Sequence, residues 1–348
     1  MNTLYTIIGY TDSGNNQFVF QNVTKTAQMF MQKLLSHTVD NNRTRVYNFS
    51  PDGEMADIVC SYAQADDNPL ETGTNLDLDA LSERIVKRLL EAENIANRQL
   101  GATGTKVKTG SIVLSLIEDD EGELRFVFAK VDHTKYLEGK NLELQVGFSI
   151  EDQDIWKTAV VQISKQQPIR TGDVLVYMDR PARYWTDGFL GLIAKRTDAL
   201  NTTSMYKSVS GTIKREVEKI SVNDYLILWS TLVHKMNAGT DFDYNVFIDE
   251  LIDNYTPQSD KLGELLGELK TKLFNLPDKI GFDRQFRLDS KDVASLAKAQ
   301  TLKIAPGIEL KINSEVDIKQ AIGTDTDENG NKYIRIKCTD KKTIDELS

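Results

Sequence analysis

Apolar positions are densest over Lys106–His133, KVKTGSIVLSLIEDDEGELRFVFAKVDH. Ile112, Val113, Leu114, Leu116 and Ile117 form one run. Glu118–Glu123 is an acidic turn containing a glycine. Leu124, Phe126, Val127, Phe128 and Val131 form a second run, and this pattern predicts a β-hairpin over 111–131. Just upstream, Leu81, Ile85, Leu89, Ala92, Ala96 and Leu100 recur at three- and four-residue steps, with Leu90 and Ile95 beside them. That period predicts the strongest helix of the chain, with Asp79 as N-cap and Gly101 as closing glycine.

The remaining elements are read in the same way. Leu4–Tyr10 and Phe18–Val23 predict short strands around Asp12–Asn16, and Thr24–His37 predicts a helix carrying Ala27, Phe30, Met31 and Leu34 on one face. Within the polar stretch Thr38–Thr74, Val46–Phe49 and Ile58–Tyr62 are short apolar pieces of strand length. Gly101–Gly110 reads as a flexible connector. Leu142–Ile150, Thr158–Ser164 and Val174–Met178 continue as strands joined by short loops, which favours an antiparallel sheet. After Pro181 helical periods take over: Phe189–Ala194, Ser204–Ile220, Val222–Met236, Asn245–Ile252 and Lys261–Phe274, the last ended by Pro277. The tail combines a helix, Lys291–Ala299, with strands Thr301–Ile304, Ile308–Ile312 and Lys332–Cys338.

The expected fold class is α+β: an N-terminal antiparallel or mixed sheet with helices, then a helix-rich region, then a small C-terminal β-containing segment. A chain of 348 residues exceeds the roughly 250–300 that one core sustains. Two domains are therefore expected, 1–187 and 188–348.

Composition narrows the class. Apolar content of 40% and charged content of 27% are those of a folded protein rather than a disordered one. No apolar run approaches the ~20 residues of a membrane helix. The start, MNTLYTIIGYTDSG, lacks the basic and apolar regions of a signal peptide, so the expected compartment is the cytosol. Cys60 and Cys338 make neither a disulfide framework nor a zinc site, and no cofactor or metal is expected. The net charge of −10 opposes a protein that simply coats DNA with cations. The charge is uneven, however: residues 157–219 hold 11 Lys and Arg against 6 Asp and Glu. A locally basic middle suits a confined polyanion-binding face, or an ordinary solvated surface.

Three basic groups are candidates for contact with DNA. Over Ser204–Ile220, Met205, Val209, Ile213, Val217 and Ile220 share an apolar face, and Lys207, Lys214 and Arg215 lie opposite with Gly211 among them. A small residue among cations lets a phosphate backbone come close, though Glu218 falls on the same side. Arg180, Arg183, Lys195 and Arg196 accompany Tyr184 and Trp185, a mixture able to stack bases or to anchor a domain junction. Arg335 and Lys337 share one face of a strand that also carries Lys332, where they hold phosphate or simply protect an edge. Other motifs are weaker. Asp325–Gly330 copies the start of a calcium loop but lacks its final Glu, and reads as a hairpin turn. Glu309 and Lys311, with Asp289 or Asp292, have the acid-x-Lys form of a metal-dependent nuclease. His37, His133 and His234 stand apart, with no serine or cysteine motif beside them. No catalytic residue is assigned.

The succession of a helix ending near Asn97–Gly101, the block TGSIVLSLIEDDEGELRFVFAKVDH, the strand WKTAVVQI at Trp156–Ile163 and the aromatic, basic segment Tyr184–Arg196 resembles the bacterial 37-kDa nucleoid-associated protein family, the NdpA/YejK-like proteins. Phe286–Leu296 and Ile308–Lys337 look like that family's closing helix-and-strand pattern, and the likeness spans roughly 78–200 and 283–338. The resemblance implies association with the bacterial nucleoid and affinity for DNA, and the favoured reading is a non-enzymatic protein that binds double-stranded DNA. Contacts would go mainly to phosphates with little sequence specificity, and a homodimer would double the basic footprint. Two other classes stay open: a protein-interaction or regulatory module without direct DNA contact, for instance in an anti-phage or chromosome-maintenance complex, and the metal-dependent nuclease.

Overall fold

A computed structural model describes residues 1–12, 15–21, 23–65, 78–100, 106–107, 109–137, 142–147, 156–163, 172–236, 241–289, 297, 299–313, 316 and 318–347. The chain forms two compact units, Met1–Arg196 and Thr197–Ser348.

In chain order the first unit holds β1 (Asn2–Asp12), β2 (Gln17–Gln21), α1 (Lys25–Asp40), β3 (Arg45–Phe49), α2 (Glu54–Ala65), α3 (Leu78–Leu100), β4 (Gly110–Glu118), β5 (Leu124–Asp132), β6 (Thr134–Leu137), β7 (Leu144–Gly147), β8 (Trp156–Ile163), β9 (Val174–Met178), a π-helical turn (Tyr184–Phe189) and β10 (Leu192–Ala194). Eight strands make one sheet in the order β10-β3-β9-β8-β5-β4-β1-β2, and every neighbouring pair is antiparallel. The expected hairpin is its centre, with Leu114 opposite Phe128 and Leu116 opposite Phe126.

Both sheet faces are covered, which is why β4 and β5 read as continuous apolar runs rather than alternating ones. On one face Ile112, Leu114, Leu116, Phe126, Phe128, Ala159 and Val161 meet Met55 and Val59 of α2 and Ile85 and Leu89 of α3. On the other, Val113, Ile117, Val127, Ala129, Val131 and Val160 meet Phe30, Met31, Leu34 and Leu35 of α1. Strand β4 enters at Gly110, where an added Cβ would lie 2.4 Å from the Val131 carbonyl oxygen of β5. Gly110→Ala forces those two backbones apart, and about 1–3 kcal/mol of unfolding free energy is expected to be lost. A urea midpoint equal to wild type would contradict that close approach.

Four expectations are corrected here. Ile58–Tyr62 is not a strand but part of α2: Met55, Ile58, Val59 and Tyr62 fall at helical steps and all are buried. A five-residue apolar run carries no period long enough to separate the two readings. Phe189–Ala194 is not a helix; it is the end of the π-helical turn, then Gly191 at φ +63°, then β10. Strand β10 pairs with β3, so the first unit runs on to Arg196 rather than ending at residue 187. Asp79 lies in the first turn of α3, not at its cap.

The second unit holds α4 (Asp198–Val217), α5 (Val222–Met236), β11 (Asp241–Asp243), α6 (Tyr244–Asp253), α7 (Asp260–Phe274), α8 (Leu276–Ile280), β12 (Gln285–Arg287), β13 (Ala299–Ala305), β14 (Ile308–Asn313), α9 (Ile318–Ala321), β15 (Ile322–Thr326), β16 (Lys332–Ile336) and α10 (Lys341–Leu347). Thr197 caps α4, its side-chain oxygen accepting from the Leu200 N–H at 3.2 Å. Met205, Val209, Ile213 and Val217 of α4 pack with Trp229, Leu232, Phe247, Ile248 and Leu273 into one core. Strands β11–β12, β13–β14 and β15–β16 are separate antiparallel pairs. Of the expected helix Lys291–Ala299, residues 291–296 and 298 lie outside the described residues, and Ala299 opens β13. The fold class is therefore mixed α and β: an N-terminal antiparallel sheet of eight strands, helices in the middle and small strands at the C-terminus.

Candidate nucleic-acid interface

Helix α4 presents its predicted faces as read. Met205, Val209, Ile213 and Val217 are fully buried, while Lys207, Gly211, Lys214 and Arg215 are exposed on the opposite side. Steps of four and three residues stack Lys207, Gly211, Lys214 and Glu218 along one stripe. Nothing lies within 4 Å of a Cβ built on Gly211. No packing inside the unit therefore demands glycine in mid-helix. Gly211→Ala is expected to raise stability by about 0.5–1 kcal/mol through lower backbone entropy of the unfolded chain, read as an upward shift in melting temperature.

The cations of α4 are partly engaged. Lys214 lies 4.0 Å from Glu218, and Arg215 binds Glu216 at 2.7 Å. Helix α7 brings Lys272 to the same Glu216 at 2.8 Å, and the two cations hold that carboxyl below its usual range. Lys272 was invisible to the sequence reading because only the packing of α7 on α4 puts it there. Lys207 is exposed and pairs with no described acid. These pairs are solvated, so they contribute little net stability and exchange readily for another anion.

The other predicted cations are placed differently. Arg180, Arg183, Lys195 and Arg196 belong to the first unit, apart from the α4 group in the second. Arg183 reaches Asp187 at 3.3 Å, and Lys195 grips both oxygens of Asp173 at 2.7 and 3.0 Å. Arg180 is exposed and pairs with no described acid. Arg196 lends its carbonyl oxygen to the Arg45 guanidinium at 2.7 Å. Trp185 is wholly buried, and Tyr184 turns its ring toward the Lys130 ammonium at 5.6 Å. Neither ring is available to stack a base; both belong to the α3 side of the sheet core. In the second unit Arg335 pairs with Asp325 across the β15–β16 hairpin, and Lys337 is exposed just past β16.

Behind the π-helical turn lies a group of charges that sequence reasoning missed. Lys130 of β5, fully buried, meets Glu93 of α3, also fully buried, at 2.6 Å. It lies 3.5 Å from Asp132, and Lys157 of β8 binds Asp179 at 2.7 Å with Asp132 at 3.9 Å. Burial pushes the Glu93 carboxyl up despite the opposing Lys130 charge. Burial also pushes the Tyr184 phenol up. The signal was present: Lys130 continues the core-facing register of Phe126 and Phe128, where a charge requires a buried partner.

The catalytic alternatives gain no cluster. Glu309 and Lys311 are exposed on β14, and Asp292 lies outside the described residues. Among the described residues no group of three or more His, Cys, Asp or Glu is arranged to hold a metal ion. The structure does bring a serine to one histidine, which the sequence spacing had not revealed: Ser111 Oγ lies 2.9 Å from His133 Nε2. Ser111 is 2% exposed, so its hydroxyl satisfies a core contact and is closed to a substrate. Asp325–Gly330 is a hairpin turn, as read. Asp327 accepts from the Asn331 side-chain amide and backbone N–H, and also from the Tyr333 hydroxyl and the Asn329 N–H, which lowers its carboxyl to about 2. Among the described residues no helix is long and apolar enough to cross a membrane.

No family model, curated protein or solved structure matches the chain. The likeness to the nucleoid-associated family thus rests on the order and apolar pattern of the elements quoted above.

Proposed function

We propose that the protein binds double-stranded DNA, as a nucleoid-associated protein, mainly through phosphate contacts and with little sequence preference. The observation that carries this reading is the exposed face of α4, where Lys207, Lys214 and Arg215 surround Gly211 with nothing packed over it. A smooth helix face flanked by cations accepts a phosphate backbone at short range, and solvated acids beside it limit the affinity. The succession α3, β4, β5, β8 in the order of the nucleoid-associated family is the second support. The first-unit cations carry less of the proposal, since Trp185 beside them is buried and Arg183 and Lys195 hold carboxylates, as Lys214 and Arg215 of α4 also do. The test is a titration of fluorescent duplex at two salt concentrations, wild type against Lys207→Glu/Lys214→Glu/Arg215→Glu. Equal binding by both removes the α4 surface from the proposal.

A protein-interaction module is the second reading. Net charge of −10 and the exposed Tyr333, Ile334 and Ile336 of the C-terminal hairpin favour it. Wild type that fails to bind duplex even at low salt would decide for it.

A further inference from the structure

The first unit contains an open cleft of about 750 Å³ between the C-terminal half of α3, Asp12 at the end of β1, and Lys106, Val107 and Thr109. Glu91, Asn94, Ile95 and Arg98 line it from α3, and Lys106 and Val107 face them. Positions 91, 94, 95 and 98 are one helical stripe, and the adjacent positions 89, 92 and 93 are buried in the core. The stripe thus looks outward into the cleft while the rest of this stretch anchors the helix.

Two features of this wall bear on the ligand it would take. Arg98 and Lys106 pair with no described acid, unlike Lys195, Lys214 and Arg215. Ile95 is 48% exposed in the middle of the polar stripe. A volume of this size is ordinary for a small-molecule site, and a lining that mixes charged and amide groups with Ile95 and Val107 suits a ligand with both polar and apolar parts.

We infer that this cleft binds a mononucleotide. Each part of such a ligand has a counterpart on the wall. The guanidinium of Arg98 and the ammonium of Lys106 supply charge-assisted donors to a phosphate. Glu91 supplies a carboxylate that accepts from ribose hydroxyls, the role acidic residues play in dinucleotide folds. Ile95 and Val107 offer the apolar contact that a base plane needs. Asn94 lines the cleft and donates its amide to Asn16 at 3.0 Å, and its carbonyl oxygen would be the acceptor for an amino group on the base edge. The site is separate from the α4 surface: it uses none of those residues and lies in the other unit.

The test is isothermal titration of the full chain with adenosine 5′-monophosphate, adenosine and inorganic phosphate. The monophosphate is expected to bind more tightly than either fragment. Arg98→Glu/Lys106→Glu is expected to weaken it at least tenfold without changing the melting temperature, because both side chains are exposed. Lys207→Glu/Lys214→Glu/Arg215→Glu is expected to bind it as wild type does, whatever that variant does to DNA. No heat at millimolar nucleotide, unchanged affinity in the Arg98/Lys106 variant, or inorganic phosphate binding as tightly as the nucleotide would each overturn the inference.

Discussion

Lys130→Met is expected to destabilise the protein by about 3–5 kcal/mol, the usual cost of removing one partner from a buried ion pair. Native stabilities total only about 5–15 kcal/mol, so this one change consumes a large share. The reason is local. Glu93 is fully buried and its nearest cation is Lys130 at 2.6 Å. Without that ammonium the carboxylate faces desolvation alone, and it responds by holding a proton. The deficit therefore depends on pH, and the sign follows from linkage. The Glu93 carboxyl is already raised in the folded wild type. Its folded state keeps the proton to higher pH than the unfolded chain does, so this group's contribution falls as pH rises from the ordinary carboxylate value through the raised one. Losing Lys130 raises the carboxyl further and widens that window. The variant should lie closest to wild type in acid, where Glu93 is protonated in both states, and show its full deficit at neutral pH. Glu93→Leu/Lys130→Met removes both charges and should recover most of the loss, since Asp132 keeps Lys157 nearby. Urea unfolding of the four proteins at two pH values measures the cycle. A single variant as stable as wild type at neutral pH would show that the pair is dispensable.

That pair also marks where sequence reasoning stops. The central hairpin was legible because a sheet covered on both faces writes itself as two apolar runs with a polar turn between them. Helix α4 was legible because Met205, Val209, Ile213 and Val217 repeat at the helical period over several turns. Ile58–Tyr62 and Phe189–Ala194 were not, because each is too short to show a period. The π-helical turn and Gly191 at positive φ, which end the second piece as a helix, depend on Trp185 and Phe189 filling the core beneath α3. The charges divide in the same way. Lys207 facing solvent follows from the register of α4. The partners of Lys195, Arg215 and Arg335 do not, since Asp173, Glu216 and Asp325 reach them through turns and side-chain directions. Lys272 and Lys130 were missed for a common reason: their charge partners come from other elements.

The acidic whole and the basic face are compatible because short-range contacts outweigh net charge once DNA is within a Debye length, about 10 Å at 0.1 M salt. Net charge instead slows encounter and discourages the acidic faces from lying on the duplex.

Lys207→Glu/Lys214→Glu/Arg215→Glu should accordingly lose duplex affinity on the order of 500-fold at 0.1 M salt, counting only the counterions that three phosphate contacts release. The same arithmetic predicts that the slope of log K against log salt becomes shallower by about 2.7. Reversing rather than removing the charges adds repulsion, so the loss is a lower bound. Folding is not at risk, because all three side chains are exposed opposite the buried stripe. Gly211→Ala is the sharper companion: it should stabilise the helix yet weaken DNA binding, since the added methyl stands where a phosphate would approach. Stability and affinity moving in opposite directions is a result that ordinary surface helices do not give. Fluorescence anisotropy across a salt series reads both quantities. A triple variant that keeps the wild-type slope, or a Gly211→Ala protein that binds as wild type does, would place the DNA contact elsewhere on the molecule.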